Sequence, residues 1–161
     1  MSAKVSPGRF TAESHEGMVV FIIGMRINKW RAVHKWLPVM MAMPPMIKEL
    51  AIHKELGCLS SENFFKLPLT FMVQYWRSEE ELHAYSKGQK HLTAWKTFNQ
   101  KARNNDAVGI YHETYIISPG HSESIYVNMP EFGLAKALGR KAITSANSSA
   151  RQRLNKQVPP K

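Results

Sequence analysis

Residues 74–102 read QYWRSEEELHAYSKGQKHLTAWKTFNQKA, and this stretch decides the fold. A strand ends near Trp76, and Ser78 can cap a helix because its hydroxyl can accept from a first-turn amide. Three glutamates follow, where the positive end of the helix dipole favours them. The helix then has two parts separated by Gly88. The apolar positions at helical spacing are Leu82, Tyr85, His91, Ala94, Trp95, Phe98 and Ala102.

The residues before this helix alternate with a period of two. Apolar residues at 69, 71, 73 and 75 predict one face, and Thr70, Met72, Gln74 and Trp76 predict a second, mixed face. The helix has an apolar stripe of its own. We therefore expect it to lie on a sheet.

The rest of the chain supplies the other elements of an α+β fold. The order is strand, helix, strand, strand, helix, strand, a ferredoxin-like βαββαβ arrangement with an extra C-terminal strand. In such a sheet the first strand lies between the last core strand and the strand before the second helix. The predicted elements are a strand at 18–28, a helix at 30–56 in two pieces broken at Pro38 and Pro44-Pro45, a hairpin of strands at 58–65 and 69–76, a strand at 107–117 and a strand at 122–128.

Composition indicates one domain. The 161 residues are 43% hydrophobic, enough for a core. We expect a flexible arm at 1–14, the folded domain at 15–134 and a basic, weakly structured tail at 135–161. Residues 131–161 carry +6 of the formal net charge of +10, so the basic character is largely that of the tail, which argues against a nucleic-acid partner.

The single cysteine, Cys58, excludes an intramolecular disulfide and multi-cysteine metal motifs. The longest apolar run is far shorter than a membrane span of about 20 residues. These features predict a cytoplasmic protein without a membrane partner, and no sequence motif predicts a metal site.

Two resemblances carry functional expectations. The segments Trp76-Arg77-Ser78, Glu80-Glu81-Leu82 and His91-Leu92-Thr93-Ala94-Trp95 resemble the strand-and-helix signature of the dimeric α+β barrel superfamily. That superfamily includes antibiotic-biosynthesis monooxygenases, haem-degrading monooxygenases and haem-dependent aldoxime dehydratases. The resemblance implies a homodimer in which a second subunit covers the sheet, and it places a possible haem axial ligand at His91.

A second resemblance covers residues 19–134. It is similar to an uncharacterised family grouped with monooxygenase-like proteins of fungal terpenoid clusters. The segments that carry it are GMRINK at 24–29, HKWLP at 34–38, MPPM at 43–46, QYWRS at 74–78, HETY at 112–115 and NMP-x-FGL at 128–134.

The candidate site residues follow from the three central strands. Their mixed faces carry Arg26, Gln74, Trp76, Tyr111, Glu113 and Tyr115, and we expect these residues to converge in the barrel interior. Paired inward, Arg26 and Glu113 would form either a structural ion pair or a general base with a substrate-orienting clamp. Catalytic candidates are therefore Glu113, His112 and Arg26, and the others are candidates for binding substrate.

Histidines and methionines add further candidates. His112 is either a hydrogen-bonded core residue or a pocket acid or base, and His34 has the same two readings. His91 is either a haem ligand, as the resemblance implies, or a core residue. The Met-rich segment 40–46, with Met41 on the predicted apolar stripe, is either core filling or the wall of a hydrophobic pocket.

Three functions remain open at this point. The first is a monooxygenase-like oxidoreductase acting on a small hydrophobic, aromatic or terpenoid-like substrate in a barrel pocket, either without a cofactor or with haem. The second is a haem-dependent lyase or dehydratase of the aldoxime dehydratase type. The third is a non-catalytic dimer that binds a hydrophobic ligand.

Overall fold

The strands and helices between residues 18 and 127 follow the order that the sequence predicts, and the structure adds short elements towards both ends of the chain. The computed structural model describes residues 4–88, 91–93, 96 and 106–155. Its elements are β1 (Arg9–Ala12), β2 (Met18–Ile27), α1 (Val33–Ile52), a 3₁₀ turn (Lys54–Leu56), β3 (Cys58–Lys66), β4 (Leu69–Trp76), α2 (Glu79–Ser86), β5 (Val108–Ile117), β6 (Tyr126–Val127), α3 (Gly133–Leu138), β7 (Arg140–Ala142), a 3₁₀ turn (Ser145–Asn147) and α4 (Ala150–Asn155).

The central sheet is antiparallel, with strand order β3-β4-β2-β5. The first core strand, β2, thus lies between the last core strand and the strand before α2, and the ferredoxin-like α+β prediction is confirmed. Ser78 caps α2 as expected, accepting from the Glu81 amide at 3.2 Å. His91–Thr93 is again helical, whereas the predicted helical positions 94, 95, 98 and 102 lie outside the described residues.

Helix α1 differs from its prediction in two ways. It runs unbroken through Pro38, Pro44 and Pro45, because the fixed φ of proline is compatible with helical backbone even where a hydrogen bond is lost. Its buried stripe is also rotated. Trp36, Val39 and Met40 pack against the sheet, together with Leu50. The predicted stripe of Trp30, Val33, His34, Leu37 and Met41 is exposed.

The two faces of β4 are the reverse of those expected. The helix layer covers the mixed face, so that Trp76 has 0% of its surface exposed and Met72 and Gln74 are also buried. The register puts Gln74 opposite Phe21 and Tyr75 opposite Val20, and directly paired residues share a face. Leu69, Phe71, Val73 and Tyr75 therefore belong to the face turned away from α1 and α2, which we call the open face. Residues 133–138 pack against its Tyr75 end.

The two ends of the chain meet in a second, three-stranded sheet. Strand β1 pairs with β6 on one side and β7 on the other, so β6 is not an extension of the central sheet. Ala12 and Met18 pack with Leu134 and Ala135 of α3. Within residues 4–14 and 135–155 the structure thus has regular elements, where the sequence predicts a flexible arm and a weakly structured tail.

Arg153 ties α4 to the loop that precedes β6 and to the 3₁₀ turn before α4. Its buried guanidinium donates to Glu123 Oε2 at 2.8 Å and to the carbonyls of Asn147 and Ser148.

In the part of the chain that the structure describes, no helix has the length and apolar character needed to cross a membrane.

Candidate functional site

A cavity of about 430 Å³ lies between the helices and the central sheet. Its apolar lining comes from β2, β4 and β5 below and from α1 and α2 above. These residues are Phe21, Ile23, Met43, Met46, Ile47, Leu50, Met72, Leu82, Leu92 and Ile110. A cavity of this size and character is typical of sites for small organic molecules.

Gln74 is the most deeply buried polar residue in the cavity wall. Its Oε1 accepts from the Trp76 indole at 2.9 Å, and its Nε2 donates to the Met72 sulfur at 3.1 Å. These contacts fix the side chain and use one of the two N–H groups of its amide. The second N–H can therefore donate to a polar group of a bound molecule.

Tyr85 and His91 form a second polar group in the wall. Their rings meet edge to face, with centroids 5.8 Å apart. The Tyr85 hydroxyl and the His91 Nδ1 are both buried. The Tyr85 hydroxyl faces the Glu49 carboxylate, whereas His91 Nδ1 has no hydrogen-bond partner among the described residues. Burial raises the pKa of Tyr85 to about 12, and the nearby Glu49 carboxylate adds to the rise. The phenol thus stays protonated at neutral pH, so it can donate to a ligand.

His112 lies at the open edge of the cavity. Strand β5 is an edge strand, and His112 and Thr114 are exposed there. The His112 ring lies 5.6 Å from that of Phe21. An imidazole at the mouth of an apolar cavity can exchange protons with both water and a bound molecule.

The predicted convergence of six polar and aromatic residues is wrong. Arg26, Tyr111, Glu113 and Tyr115 lie on the open face, opposite to the cavity, while Gln74 and Trp76 lie on the helix-covered face. Of these six residues, Gln74 lines the cavity and Trp76 packs in the core behind it.

Arg26 and Glu113 are also separated from one another. Arg26 pairs with Gly109 and Glu113 with Ile22, four positions apart along β2, a distance of about 13 Å. Arg26 donates to Asn28 Oδ1 at 2.6 Å, and Glu113 accepts from the Tyr115 hydroxyl at 2.9 Å. The expected Arg26–Glu113 ion pair is therefore absent from the described structure.

Tyr111 has a structural contact on the open face. It pairs with Gly24, where an added Cβ would collide with the Tyr111 ring and lie 2.8 Å from the Thr70 carbonyl. Glycine is required at position 24 because the neighbouring strands approach closely there.

His34 and Met41 are exposed on the outer side of α1, so they do not line the cavity.

The sequence prediction of a Met-rich pocket wall identified the right segment but the wrong methionine. Met43 and Met46 line the cavity. Sequence reasoning also missed Tyr85, which it treated only as an apolar position of the helix. The positions of Tyr85 and His91 on either side of Gly88 were the sequence feature that could have indicated a contact. Whether the two rings touch depends on how the chain turns at Gly88, which the sequence does not determine.

The cavity residues can be tested for their ability to bind a metal ion or haem. Within the described ranges, no group of three or more His, Cys, Asp and Glu side chains could hold a metal ion. For haem, a buried imidazole nitrogen without a hydrogen bond at the wall of an apolar cavity suits an axial ligand. His91 is therefore chemically compatible with haem iron.

Comparisons with known proteins agree with this fold. The chain is 32% identical over 79 residues to Monooxygenase af470 of Aspergillus fumigatus, a match that covers 46% of this chain and 28% of that protein. The crystal structure of an aldoxime dehydratase superposes with a TM-score of 0.69 at 17% identity, covering 89% of this chain and 45% of that one. The chain thus spans less than half the length of either protein.

A smaller solved structure with a similar arrangement is that of SnoaB, a cofactor-independent oxygenase from Streptomyces nogalater. It has a TM-score of 0.41 and 8% identity, covering 61% of this chain and 90% of that one.

A family model described as "Monooxygenase af470-like" matches residues 18–134, the segment that contains the whole central sheet and its helices. This match extends over well more than half of the chain. The chain belongs to the Monooxygenase af470-like family.

Proposed function

We propose that this monooxygenase-like protein oxidises a small, largely apolar substrate, aromatic or terpenoid-like, in the cavity between the helices and the sheet. The observation that carries the proposal is the composition of the cavity wall. Gln74, Tyr85, His91 and His112 are set among ten apolar side chains around a space of about 430 Å³. Such a site encloses an apolar molecule and orients it by a few polar contacts.

The primary chemistry proposed needs no cofactor. A substrate with an acidic C–H group, next to a carbonyl or a phenol-bearing ring, can supply electrons to O₂ itself once that proton is removed. The balanced reaction converts CH₂ and O₂ into C=O and H₂O. A C–O bond forms between the carbanion and oxygen, and the hydroperoxide then loses water as its O–O bond breaks.

The side chains of the cavity have distinct roles in this reaction. His112 takes the proton from carbon, since an imidazole can accept and return protons near neutral pH. The Gln74 amide and the Tyr85 hydroxyl donate to the substrate oxygen on which negative charge develops. The apolar wall excludes water, which strengthens these hydrogen bonds.

The alternative chemistry uses haem, as an oxygenase or as a dehydratase of the aldoxime type. In that case His91 would hold the iron, and bound haem would supply the oxidising or Lewis-acid chemistry. Lys87 and His83 at the cavity mouth would be placed to pair with acidic groups of the ring.

We also propose a cytoplasmic homodimer. The open face carries Val20, Ile22 and Val73, which are only partly buried, together with the exposed aromatic rings of Tyr111 and Tyr115. A second copy covering this face would remove the apolar surface from water. Arg26 and Glu113 would then lie at the subunit interface, and any part they take in catalysis depends on that partner.

Oxygen uptake with a polycyclic phenol that has an activated methylene tests the primary proposal. The protein should consume one O₂ per ketone formed and show no Soret absorption band. His112→Gln should reduce kcat by about 100-fold or more, whereas His121→Gln, a change at an exposed loop imidazole, should retain full activity. A Soret band that disappears in His91→Gln would instead establish the haem chemistry.

Two other outcomes would overturn the assignment. Substrate binding without oxygen uptake would favour the non-catalytic ligand-binding dimer. Loss of activity in Glu113→Gln, with His112→Gln fully active, would place the chemistry on the open face.

A further inference from the structure

One end of the molecule exposes large apolar side chains that the cavity and the open face do not explain. The tip of the β3–β4 hairpin presents Phe65, 77% exposed, and Leu67, 53% exposed. The outer stripe of α1 presents Val33, Leu37 and Met41 at four-residue spacing, and Trp30 precedes the helix. We call these six residues the apolar end.

The hairpin and the start of α1 are neighbours in the structure. The Ile27 amide donates to the Pro68 carbonyl at 2.8 Å, so the hairpin turn lies beside the end of β2 that leads into α1. The Trp36 indole donates to the Trp30 carbonyl at 3.1 Å, and Trp36 packs against the cluster of Met25, Ile27 and Val108. Phe65, Leu67, Trp30 and Val33 therefore lie at one end of the molecule, and Leu37 and Met41 continue the apolar stripe from there along the outer side of α1.

Basic residues surround this apolar end. Lys29, Arg31, Lys35 and Lys66 are all exposed. The chain has no acidic residue from 17 to 48 or from 63 to 78. Among the described residues, the carboxylate paired with this group is Asp106, 2.6 Å from Lys29 Nζ.

We propose that the apolar end docks on an anionic lipid membrane surface. Protruding Trp, Phe and Leu side chains ringed by Lys and Arg are the combination that inserts at the lipid interface, because apolar groups enter the acyl boundary while cations meet the headgroups. The protein would be bound peripherally, which goes beyond the expectation of no membrane partner.

A second copy of the chain suits this surface less well. A two-fold dimer would place the same positive patch against itself, and like charges at an interface oppose association. A membrane rich in acidic lipid supplies opposite charge instead. The open face has no such excess of basic residues and remains the face assigned to the dimer.

If the proposed function is correct, the docking surface also offers a route by which substrate can enter the main cavity. Phe65 lines a smaller cavity of about 60 Å³ with Val39 of α1. Ile23, Met43 and Met72 line both this cavity and the main one. A lipophilic substrate could pass from the membrane beside Phe65 into the main cavity.

Vesicle flotation of the full chain tests the docking without requiring any activity. We expect binding to phosphatidylcholine vesicles that contain phosphatidylserine, weaker binding at high salt, and little binding to pure phosphatidylcholine. The Phe65→Ser/Leu67→Ser variant should lose binding. Lys35→Gln/Lys66→Gln should weaken it roughly 25-fold, about fivefold for each charge removed.

Ile116→Ser is the matched control, because Ile116 is 65% exposed and pairs with Val19 at the opposite end of β2. It should bind like the parent protein. Equal binding by parent and Phe65→Ser/Leu67→Ser, or no binding by the parent, would overturn the proposal. So would a fall from dimer to monomer in the Phe65→Ser/Leu67→Ser variant without lipid, which would assign this end to a second copy.

Discussion

The Trp76 indole donates a hydrogen bond of 2.9 Å to the Gln74 side-chain carbonyl, two residues earlier on the same face of β4. Trp76 is completely buried, and its ring lies 5.5 Å from that of Tyr85. This bond connects the hydrophobic core to the polar wall of the cavity. It also lets a buried amide remain in place, since a buried polar group is tolerated when it is hydrogen-bonded.

Replacing Gln74 by leucine should lower the free energy of unfolding by about 1–3 kcal/mol, because the buried Trp76 N–H loses its acceptor. Denaturant unfolding of Gln74→Leu, Trp76→Phe and the double variant, combined in a double-mutant cycle, measures this effect. In a Trp76→Phe background the same change at Gln74 should cost less, since no donor is left unpaired. An equal cost in both backgrounds would contradict the importance of this hydrogen bond.

Ile22→Arg should convert the proposed dimer into a monomer, because a guanidinium would be buried against the apolar open face of the partner copy. Sedimentation velocity of parent and variant provides the measurement. Ile125→Arg serves as the control, since Ile125 is an exposed isoleucine outside the central sheet. A parent protein that sediments as a monomer at micromolar concentration would rule the dimer out.

Arg153→Ala should destabilise the protein by about 1–3 kcal/mol, because it removes charge-assisted bonds to Glu123 and two capping contacts to carbonyls. Thermal unfolding should show a lower midpoint, and deleting residues 149–161 should act in the same direction. Arg151→Ala, a change at an exposed arginine, should leave the midpoint unchanged. Equal midpoints for Arg153→Ala and the parent would mean that α4 does not stabilise the fold.

The stability of the protein should fall as pH drops below 6.5, in part through His15. Burial lowers the pKa of His15 from its ordinary value of 6.5, although the nearby Glu16 carboxylate opposes this. In the fold, Nδ1 accepts from the Gly17 amide at 3.1 Å, which requires that nitrogen to be unprotonated. The folded state therefore binds the proton less readily than the unfolded state, so acidification favours unfolding.

Unfolding free energies of the parent and His15→Gln, compared between about pH 7 and about pH 5, isolate this contribution. The variant should lose less stability than the parent over that interval. A larger loss in the variant would show that the sign is opposite.

Cys58 should resist alkylation in the folded protein. Its side chain is buried, and burial raises the pKa of the thiol to about 11, so the reactive thiolate is scarce at neutral pH. Iodoacetamide labelling followed by mass spectrometry should detect modification only after denaturant is added. Rapid labelling of native protein would contradict this placement of Cys58 in the core.

Local chemistry in the sequence was sufficient for the order of elements. Ser78 caps α2 through its hydroxyl, and Gly57 takes the positive φ that ends the preceding turn. Such features depend on a few adjacent residues, so they can be recognised without knowing the rest of the fold. The same holds for the alternation in β5, which puts Ile110, His112 and Thr114 on one face.

Local sequence features could not predict which face of each strand or helix is buried. Strand β4 has large apolar residues on both faces, and α1 has them around most of its circumference, so alternation and helical periodicity each allow two solutions. Gln74 made its face look like the one that a second subunit covers, while the Trp76 hydrogen bond makes burial of that face under the helices possible.

The sequence by itself therefore determined the ferredoxin-like topology, the cap of α2, and the segments from which the cavity is built. Only the tertiary structure decided that His91, His112 and Gln74 line one cavity while Arg26 and Glu113 lie on the opposite face. The physical reason is that periodicity defines faces relative to one element, whereas burial depends on how several elements pack together.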